Sequence, residues 1–441
     1  MKNHHHHQSS MRLSSSMIHI HTTYMIMVFA ILLASSRKSV AVSALTVQSA
    51  LATRGTSSFL DGIQSNLQKT FSTMNPSSNS DDSPYYTIAI TGASGMLGNA
   101  LIDELSKKQD GMIKGKKIKI VKLNRSDTIE EELPLALATD LDDTSGTDAT
   151  ITPTSLNWNP NANGSDSINK QALQSIDTLV HLAGENVGAG LLPGPLGMLG
   201  VQAWSKAKKD MIINSRVGPT KALATAIAEC TKPTSYIVAS GVGVYGCDFM
   251  ANENDKDAPD ESADVSNTKG FLAEVSRQWE AASLPAIREG ALLMNRVVNL
   301  RMAPIMSKKG GALEKLYPIF FLGGGGIVGS GKQYFSYISA RDAARSIVHI
   351  IENEKIKGPV NLVAPTPATN ADFTSALGKV LSRPTFFPLP ELVVKLLFGE
   401  MGEEMLLGGV KAVPKKLLDS GFEFKHDTMD KALESAVNEN I

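Results

Sequence analysis

The residues with the clearest chemical potential are three glycines at a spacing of three. Gly92, Gly95 and Gly98 follow a β-branched stretch and precede a leucine-rich helical pattern, within TIAITGASGMLGNALIDELSKK. Glycine allows a tight turn and a close approach of the backbone to a ligand, and a helix that begins here offers unpaired N–H groups to phosphates. The pattern predicts a site for a dinucleotide pyrophosphate; the alternative is an ordinary loop between a strand and a helix. The residues expected to border the pyrophosphate are Gly92, Ser94, Gly95, Met96, Leu97 and Gly98.

The end of the next predicted strand bears on the choice between NAD and NADP. Residues 117–123 form this strand, and Asn124-Arg125-Ser126 follow where a protein that prefers NAD usually has an acid for the ribose hydroxyls. A guanidinium can hold the 2′-phosphate of NADP through paired charge-assisted hydrogen bonds, and Ser126 can add a donor. We therefore expect NADP(H); the alternative is that Arg125 is a solvated loop charge.

A third candidate stretch is DTLVHLAG, residues 177–184, which reads as a buried strand that ends in small residues. Small residues let a cofactor approach closely, so we expect Leu182, Ala183 and Gly184 beside its central region. Residues 188–200, GAGLLPGPLGMLG, are too broken by Gly and Pro for a regular helix and are predicted to form a mobile loop over the site.

Composition excludes several other classes of protein. The chain has 441 residues, 42% of them hydrophobic, and a formal net charge of -1, which gives no general attraction to nucleic acid. Cys230 and Cys247 belong to no disulfide or zinc pattern, which favours a reducing compartment. The His4–His7 run reads as a low-complexity tail or tag, so no metal site is expected.

The N-terminal segment, residues 1–83, reads as a targeting address that cannot build a packed core. It is rich in Ser, Thr and His and poor in acids. Residues 24–34, YMIMVFAILLA, are too short to span a bilayer but have the length of a signal-peptide apolar region, so we expect no integral membrane span in the mature chain. A two-part plastid address fits this pattern; a mitochondrial or simple plastid transit peptide, secretion and a membrane anchor remain alternatives.

Two further domains are predicted after this segment. Residues 84–357 carry the glycine turn and the strands described above, and form the nucleotide-binding domain. Residues 358–441 contain a short strand at 359–363, a helix opened by Thr369 or Asn370, turns bounded by proline and an apolar helix at 392–398. These features predict a small α/β cap.

Segments spread over residues 85–424 resemble one family. They include HLAGEN, Trp204 with Ser215-Arg216-Val217, ASGVGVYG, FLAEVSRQWE, SKKGGALEKL, GSGKQYFSYI and GPVNLVAPTPATNADFTSALGKVLSRP. Together they are similar to the extended short-chain dehydrogenase/reductases, in the nucleotide-sugar-epimerase-like branch with its own small C-terminal domain. The resemblance implies a Rossmann-type α/β fold with a doubly wound parallel sheet, bound NADP(H) and a C-terminal lobe over the substrate cleft. It also implies that Asp140 and Leu141 lie along the adenine, although their acid-rich surroundings read equally as a loop.

The chain departs from this superfamily in its catalytic residues. Superfamily enzymes use a tyrosine as general acid/base and, four residues later on the same helix face, a lysine whose ammonium lowers the phenol pKa. Phe271 and Val275 stand at these positions, and neither can transfer a proton. Ser240, near the position of the superfamily serine, is the remaining candidate for a polar contact with substrate; the alternative is a hydroxyl satisfied at a strand end. Six further polar residues fall in nearby segments without a spacing that requires catalysis: Lys269, Glu274, Tyr245, Tyr334, Tyr337 and Asp342.

Two hypotheses of different classes follow. The first is an NADP(H)-binding oxidoreductase-like protein that acts on a small molecule without the usual catalytic pair. The second is a catalytically silent nucleotide-binding protein that serves a protein partner in the plastid, since plastid members of the family exist and some have been tied to plastid division.

Overall fold

The computed structural model describes residues 83–129 except 109, 153–187 except 163, 204–246 except 233, 258–287 and 295–438. Some predictions lie outside the described residues. These are the N-terminal segment before residue 83, the adenine contacts Asp140 and Leu141, the loop at 188–200, and Cys247.

An eight-stranded sheet forms the centre of the described chain. Its strands are β1 (Tyr85–Thr91), β2 (Met112–Ile113), β3 (Lys116–Arg125), β4 (Thr154–Trp158), β5 (Thr178–His181), β6 (Ser235–Gly241), β7 (Arg296–Met302) and β10 (Gly358–Leu362). Their order is β10-β7-β6-β5-β1-β3, with β2 and β4 both along the outer edge of β3, and β2 runs antiparallel to β3 while the other pairs are parallel. The short strands β8 (Ile305–Met306) and β9 (Ile338–Ser339) pair separately. The predicted α/β fold with a doubly wound parallel sheet is confirmed.

Helices alternate with the strands, as expected of parallel connections. They are α1 (Met96–Ser106), α2 (Lys170–Gln174), α3 (Lys206–Glu229), α4 (Phe271–Ser283), α5 (Gly311–Phe321), α6 (Ala340–Glu352), α7 (Asn370–Leu381), α8 (Glu391–Gly402), α9 (Lys415–Asp419) and α10 (Met429–Asn438). No helix of the described ranges is long and apolar enough to cross a bilayer.

Both faces of the sheet are buried, because successive side chains of a strand point to opposite faces. On one face Ile88 and Ile90 of β1 pack with Leu97, Leu101 and Leu105 of α1, all in one apolar cluster. On the other face a second cluster joins α2 and α3 to the sheet and includes Ala89, Val121, Leu223 and Ile227. Full burial of a Leu or Ile side chain contributes about 1.5–3 kcal/mol, so these two layers fix the end of β1 relative to α1.

The strand predicted to open the C-terminal lobe is instead the edge strand of the central sheet. β10 pairs in parallel with β7, with Val360 opposite Leu300. Because β10 pairs with β7, the main-chain N–H and C=O groups along that side of β7 are hydrogen-bonded. They would be unpaired if β10 belonged to a separate lobe. The two helices predicted in the C-terminal region are present as α7 and α8, and of the two proposed caps, Thr369 and Asn370, it is Thr369 that caps α7, in a capping box with Asp372.

The strand order reverses between β1 and β5, because the chain builds β3 and β4 on one side of β1 before it crosses to β5 on the other. Thr91 is in register with Leu123 of β3 and with His181 of β5. The turns that follow these strands therefore meet at one edge of the sheet. In open parallel sheets, ligands bind in the crevice at such a reversal.

Candidate functional site

The glycine turn lies in this crevice and is closely packed. Gly92 has φ +68, and a Cβ built on it would lie 3.0 Å from the main chain of Leu182 and Ala183. A Cβ on Gly98 would lie 2.3 Å from the carbonyl oxygen of Gly92, inside van der Waals contact. A side chain is therefore disfavoured at both positions, since the turn lies against the residues that follow β5 and α1 lies against the turn, as a pyrophosphate cradle requires.

Helix α1 begins in this turn without a side-chain cap. Its N-cap residue is Gly95, in extended backbone, and no side chain accepts a hydrogen bond from the first turn. Leu97 is buried, while Ser94 is exposed and its carbonyl accepts a hydrogen bond from the Asn99 side chain (2.9 Å). Uncapped N–H groups and the positive end of the helix dipole form an anion site when they face a ligand. The cradle therefore fits a dinucleotide diphosphate.

The start of the SKKGGALEKL segment also approaches the turn. A Cβ on Gly310 would lie 3.1 Å from Cβ of Met96 and 3.3 Å from its sulfur. The SKKGG segment thus packs against the start of α1 and forms another wall of the crevice. The sequence identified this segment as part of the family resemblance but did not indicate that it contacts the glycine turn.

Thr91 and His181 link the ends of β1 and β5 beneath the crevice. Thr91 Oγ1 lies 2.7 Å from His181 Nδ1 and accepts hydrogen bonds from the main-chain N–H groups of Leu182 (3.2 Å) and Ala183 (3.3 Å). The hydroxyl and Nδ1 therefore share a hydrogen bond, and Nε2 is buried without a hydrogen-bond partner among the described residues. Burial, and to a lesser degree the charge of Arg125, lowers the pKa of His181 to about 3, so the imidazole is neutral at physiological pH.

Arg125 and Ser126 end β3 at the same edge of the sheet as the glycine turn. Arg125 is exposed, and Ser126 is held by a hydrogen bond from its N–H to the carbonyl of Trp158 (3.0 Å). The Arg125 guanidinium is near enough to affect the pKa of His181. This position is beside the crevice, where the ribose of a dinucleotide would lie if its diphosphate is at the glycine turn.

Charged residues surround the end of the stretch at 177–184, and the sequence pattern of this stretch did not predict them. Gly184 lies against the guanidinium of Arg216, at 3.5 Å from a built Cβ to the guanidinium carbon. Arg216 donates to the Glu185 carbonyl (2.7 Å), and Lys208 pairs with the Glu185 carboxylate (2.9 Å). Burial lowers the pKa of Arg216 to about 10, which leaves it charged at neutral pH. These charges fix the backbone next to the predicted cofactor contacts.

Ser240 is buried and belongs to a hydrogen-bonded network. Its hydroxyl donates to Glu280 of α4 (3.0 Å), and Glu280 accepts two hydrogen bonds from Arg301 (2.8 and 3.0 Å). Arg301 also donates to the Tyr245 hydroxyl (3.1 Å), which in turn donates to Asn361 (2.7 Å). The network joins β6, α4, β7 and β10. A catalytic role for Ser240 stays a prediction, and the hydroxyl has a structural partner.

Helix α4 carries no acid/base pair at the two expected positions. Phe271, in its first turn, is half-buried, and Val275, one turn later, is buried. The Trp204 ring meets the Phe271 ring edge to face, with centroids 4.9 Å apart. The site therefore has a phenyl ring without a hydroxyl where superfamily enzymes have the phenol of a tyrosine.

Two carboxylates of the C-terminal region reach this aromatic pair, and motif analysis missed both. Glu404 accepts hydrogen bonds from the main-chain N–H groups of Phe271 and Leu272. Glu400 forms an ion pair with Lys209, whose ammonium lies 4.9 Å from the centroid of the Phe271 ring. The positive φ of Gly399 (53°) kinks α8 immediately before Glu400.

Among the other polar residues noted near the cleft, Tyr245, Tyr334 and Asp342 have structural partners. Burial raises the pKa of Tyr245, which is held in the Arg301 network. Asp342 is fully buried in the first turn of α6 and accepts hydrogen bonds from the N–H groups of Lys425 (3.1 Å) and His426 (2.7 Å), so it ties the C-terminal segment to α6. Tyr334 lies beneath the Lys411 ammonium. Tyr337 is buried, and its hydroxyl has no hydrogen-bond partner among the described residues.

The sheet order, the reversal between β1 and β5 and the close-packed glycine turn define a Rossmann-type nucleotide-binding fold. Comparison with known proteins agrees with this class. The human epimerase family protein SDR39U1 (isoform 2), solved with NADPH, superimposes with a TM-score of 0.60 at 25% identity, over 80% of this chain and all of the human chain. A nucleoside-diphosphate sugar epimerase from Corynebacterium glutamicum superimposes with a TM-score of 0.53 at 29% identity, over 79% of this chain and 58% of the other.

Sequence comparison identifies the family. An epimerase family protein of Mycobacterium bovis is 35% identical over 346 residues, which cover 78% of this chain and 96% of the relative. An Arabidopsis thaliana relative, described as an epimerase family protein SDR39U1 homolog, chloroplastic, is 34% identical over 52% of this chain and 63% of its own length. Residues 389–436 match a family described as a domain of unknown function (DUF1731). This chain belongs to the epimerase family of Rossmann-fold proteins, which confirms the resemblance.

Proposed function

We propose that this chain is an NADP(H)-binding oxidoreductase-like protein that acts on a small molecule. The observation that carries the proposal is the turn at Gly92 and Gly98, which excludes side chains and begins an uncapped helix at the sheet reversal. The described residues that would hold the cofactor are Gly92, Ser94, Gly95, Met96, Leu97, Gly98, Arg125, Ser126, Leu182, Ala183 and Gly184. When bound, a nicotinamide cofactor supplies or accepts an electron pair at the substrate.

The choice of NADP over NAD rests on Arg125. Its guanidinium is exposed at the end of β3. The neighbours of Arg125 in the sequence, Asn124 and Ser126, are not acidic. A guanidinium can hold a 2′-phosphate through two parallel hydrogen bonds, an arrangement that a ribose hydroxyl cannot match. The human relative was solved with NADPH, which agrees with this choice.

An enzyme of this kind would orient its substrate without the usual tyrosine and lysine. Ser240 is the candidate polar contact, since it ends a central strand near the crevice and its oxygen retains acceptor capacity beyond the bond that it donates to Glu280. The substrate itself is left open by this proposal.

The absence of an acid/base pair at Phe271 and Val275 favours a second candidate function. In this alternative the chain is a catalytically silent regulatory or scaffold protein, and nucleotide binding stabilises a surface that a partner recognises. A plastid location is part of both proposals. The signal-like and acid-poor N-terminal sequence supports it, as does the chloroplastic relative in Arabidopsis thaliana.

Thermal unfolding of the full chain with NADPH, with NADH and without either tests the cofactor proposal. We expect NADPH to raise the melting temperature more than NADH at equal concentration, because a ligand that binds only the folded state stabilises it. If neither nucleotide raises the melting temperature, both candidate functions fail. Consumption of NADPH with any member of a panel of carbonyl compounds supports the enzyme, and inactivity together with stable capture of a partner supports the scaffold.

A further inference from the structure

The C-terminal region exposes several large apolar side chains close together. The exposed fractions are 81% for Phe386, 66% for Phe387, 77% for Leu392 and 82% for Leu396. Isolated apolar residues on a surface are ordinary, but neighbouring ones of this size form a patch that water solvates poorly. Such a patch on a soluble domain marks a surface that another molecule covers.

A second segment extends the patch. The N–H of Phe387 donates to the Gly325 carbonyl (3.2 Å), and the N–H of Leu389 donates to the Ile327 carbonyl (2.8 Å). These bonds hold the glycine-rich segment 323–326 beside residues 386–389, and Leu322, 83% exposed, immediately precedes it. We call Leu322, Phe386, Phe387, Leu392 and Leu396 the apolar patch. The close fit also explains the glycines, since a Cβ on Gly326 would lie 1.9 Å from the Phe387 carbonyl oxygen.

Helix α8 presents its part of the patch as a stripe with a charged border. Leu392 and Leu396 are one turn apart and so share a face. Glu391 and Lys395, also one turn apart, form an ion pair of 2.7 Å beside this stripe, with side-chain exposures of 60% and 46%. Val394 on the opposite face is buried against the body of the protein. The exposed face therefore carries Glu391 and Lys395 at a spacing of four residues, and Lys395 also lies 4.0 Å from Glu403.

We propose that the apolar patch is a homodimer interface in which α8 packs antiparallel against α8 of a second copy. A two-fold axis close to Val393 places Glu391 of each copy opposite Lys395 of the other, so that the charged border is complementary to itself. It also places Leu392 against Leu392 of the second copy. Isologous interfaces require this property, because the same surface must serve on both subunits.

The charge pattern distinguishes this occupant from others. An anionic membrane surface favours a border of lysine and arginine, and an acidic or basic peptide favours a border of the opposite sign. Here both signs occur beside the leucines, with Lys395 between Glu391 and Glu403, and Glu391 and Lys395 are complementary to the same pair on a second copy, which favours a partner with the same arrangement. The patch contains no predicted cofactor or substrate contact, so this inference does not depend on the proposed function.

Sedimentation velocity of the full chain over a range of concentrations tests the proposal. We expect a reversible or stable dimer for the natural sequence and a monomer for the double variant Leu392→Glu/Leu396→Glu. Because both leucines are exposed, the double variant should keep its circular dichroism spectrum and melting temperature as a monomer. Leu418→Glu, at an exposed leucine (48%) on α9, is the matched control and should leave the dimer intact.

Charge reversal makes the test specific to the antiparallel arrangement. Glu391→Lys places a positive charge opposite Lys395 at both of the contacts that the two-fold axis relates. The dissociation constant of the dimer should therefore rise about tenfold or more. Glu391→Lys/Lys395→Glu restores opposite charges and should recover the dimer. A monomer at all concentrations, a dimer that survives both leucine substitutions, or binding of the monomer to lipid vesicles in place of self-association overturns the proposal.

Discussion

Glu404 accepts a hydrogen bond of 2.6 Å from the main-chain N–H of Phe271, so a carboxylate from the C-terminal region caps the first turn of α4. The other oxygen accepts from the N–H of Leu272 (2.9 Å), and the cap substitutes for the side chain that Gly270 lacks. An acid at a helix N-terminus satisfies unpaired donors and interacts favourably with the helix dipole. The C-terminal region thus fixes the element that carries Phe271.

Glu404→Ala should reduce the free energy of unfolding by about 1–2 kcal/mol, the usual range for loss of an N-terminal cap. Urea denaturation of the full chain measures the change. Glu403→Ala is the control, because its carboxylate is half exposed and lies 4.0 Å from Lys395, and it should change stability by less than about 0.5 kcal/mol. Equal losses of unfolding free energy in the two variants would show that the Glu404 cap contributes no more than an ordinary surface carboxylate.

Gly98→Ala should destabilise the protein although alanine favours helices. The new Cβ would lie 2.3 Å from the Gly92 carbonyl oxygen and 2.7 Å from the Ala93 Cα, both main-chain atoms that cannot move cheaply. Overpacking of this kind costs about 1–3 kcal/mol. Gly218→Ala in α3, where nothing apart from its chain neighbours lies within 4 Å of the built Cβ, should change stability by less than Gly98→Ala, because the gain in helix propensity is opposed by Pro219, which disfavours helical backbone for a preceding residue with a Cβ. Thermal unfolding of both variants, with and without NADPH, compares them, and a neutral Gly98→Ala would contradict the packing argument.

Arg125→Ala should weaken NADPH binding by about 10- to 100-fold, since a hydrogen bond to a charged group contributes about 1.5–3 kcal/mol. NADH binding should change little, because NADH lacks the 2′-phosphate. Isothermal titration with each nucleotide gives the two ratios. Lys107→Ala, at an exposed lysine paired with Asp103 near the far end of α1, is the control for loss of positive charge. A similar loss for both nucleotides would refute the assignment of the 2′-phosphate to Arg125.

Stability should fall as the pH is lowered from 7 toward 3, in part because of His181. The folded-state pKa is about 3, so the unfolded chain, with a pKa near 6.5, binds more protons throughout this window. Protonation of His181 in the unfolded state lowers the free energy of unfolding by roughly 2 kcal/mol at pH 5. His181→Asn should be less stable at pH 7 but should lose less stability between pH 7 and 5 than the natural sequence. Burial also lowers the pKa of His349 and His426, which remain in both proteins, so the difference between the two slopes is the test.

Substitutions in the Ser240 network test how much the Ser240 hydroxyl contributes to the stability of the fold. Ser240→Ala removes one hydrogen bond to Glu280 and should cost about 1 kcal/mol. Glu280→Gln leaves Arg301, whose side chain is 4% exposed, without its counter-charge and should cost about 3–5 kcal/mol. Chemical denaturation ranks the two variants. If Ser240→Ala were the more damaging, the hydroxyl would have a part in the fold that these contacts do not explain.

Local patterns predicted the core of this fold well. The spacing of Leu97, Leu101 and Leu105 indicated a buried helix face, and all three are buried. The glycine turn was predicted because a strand, a turn and a helix are consecutive in the chain. A helix opened by Thr369 or Asn370 was predicted from their position before a helical pattern, and Thr369 forms a capping box.

Contacts between distant segments could not be predicted in this way. Phe271 and Glu404 are separated by 133 residues, and Lys209 and Glu400 by 191. Neither pair produces a periodic pattern in the sequence, because each contact depends on how the C-terminal region packs against the rest of the protein. The 359–363 strand was recognised, but its place at the edge of the sheet depends on pairing with β7 rather than on its own residues.

The position of β10 has a practical consequence for anyone who wishes to separate the two halves of this protein. A truncation before Gly358 would strip β7 of its neighbour along Val298 to Met302 and leave a hydrophobic strand open to pairing with any other chain. It would also delete Asn361, which anchors the Tyr245 hydroxyl. The shortened protein should aggregate during expression, so the C-terminal portion is inseparable from the nucleotide-binding half.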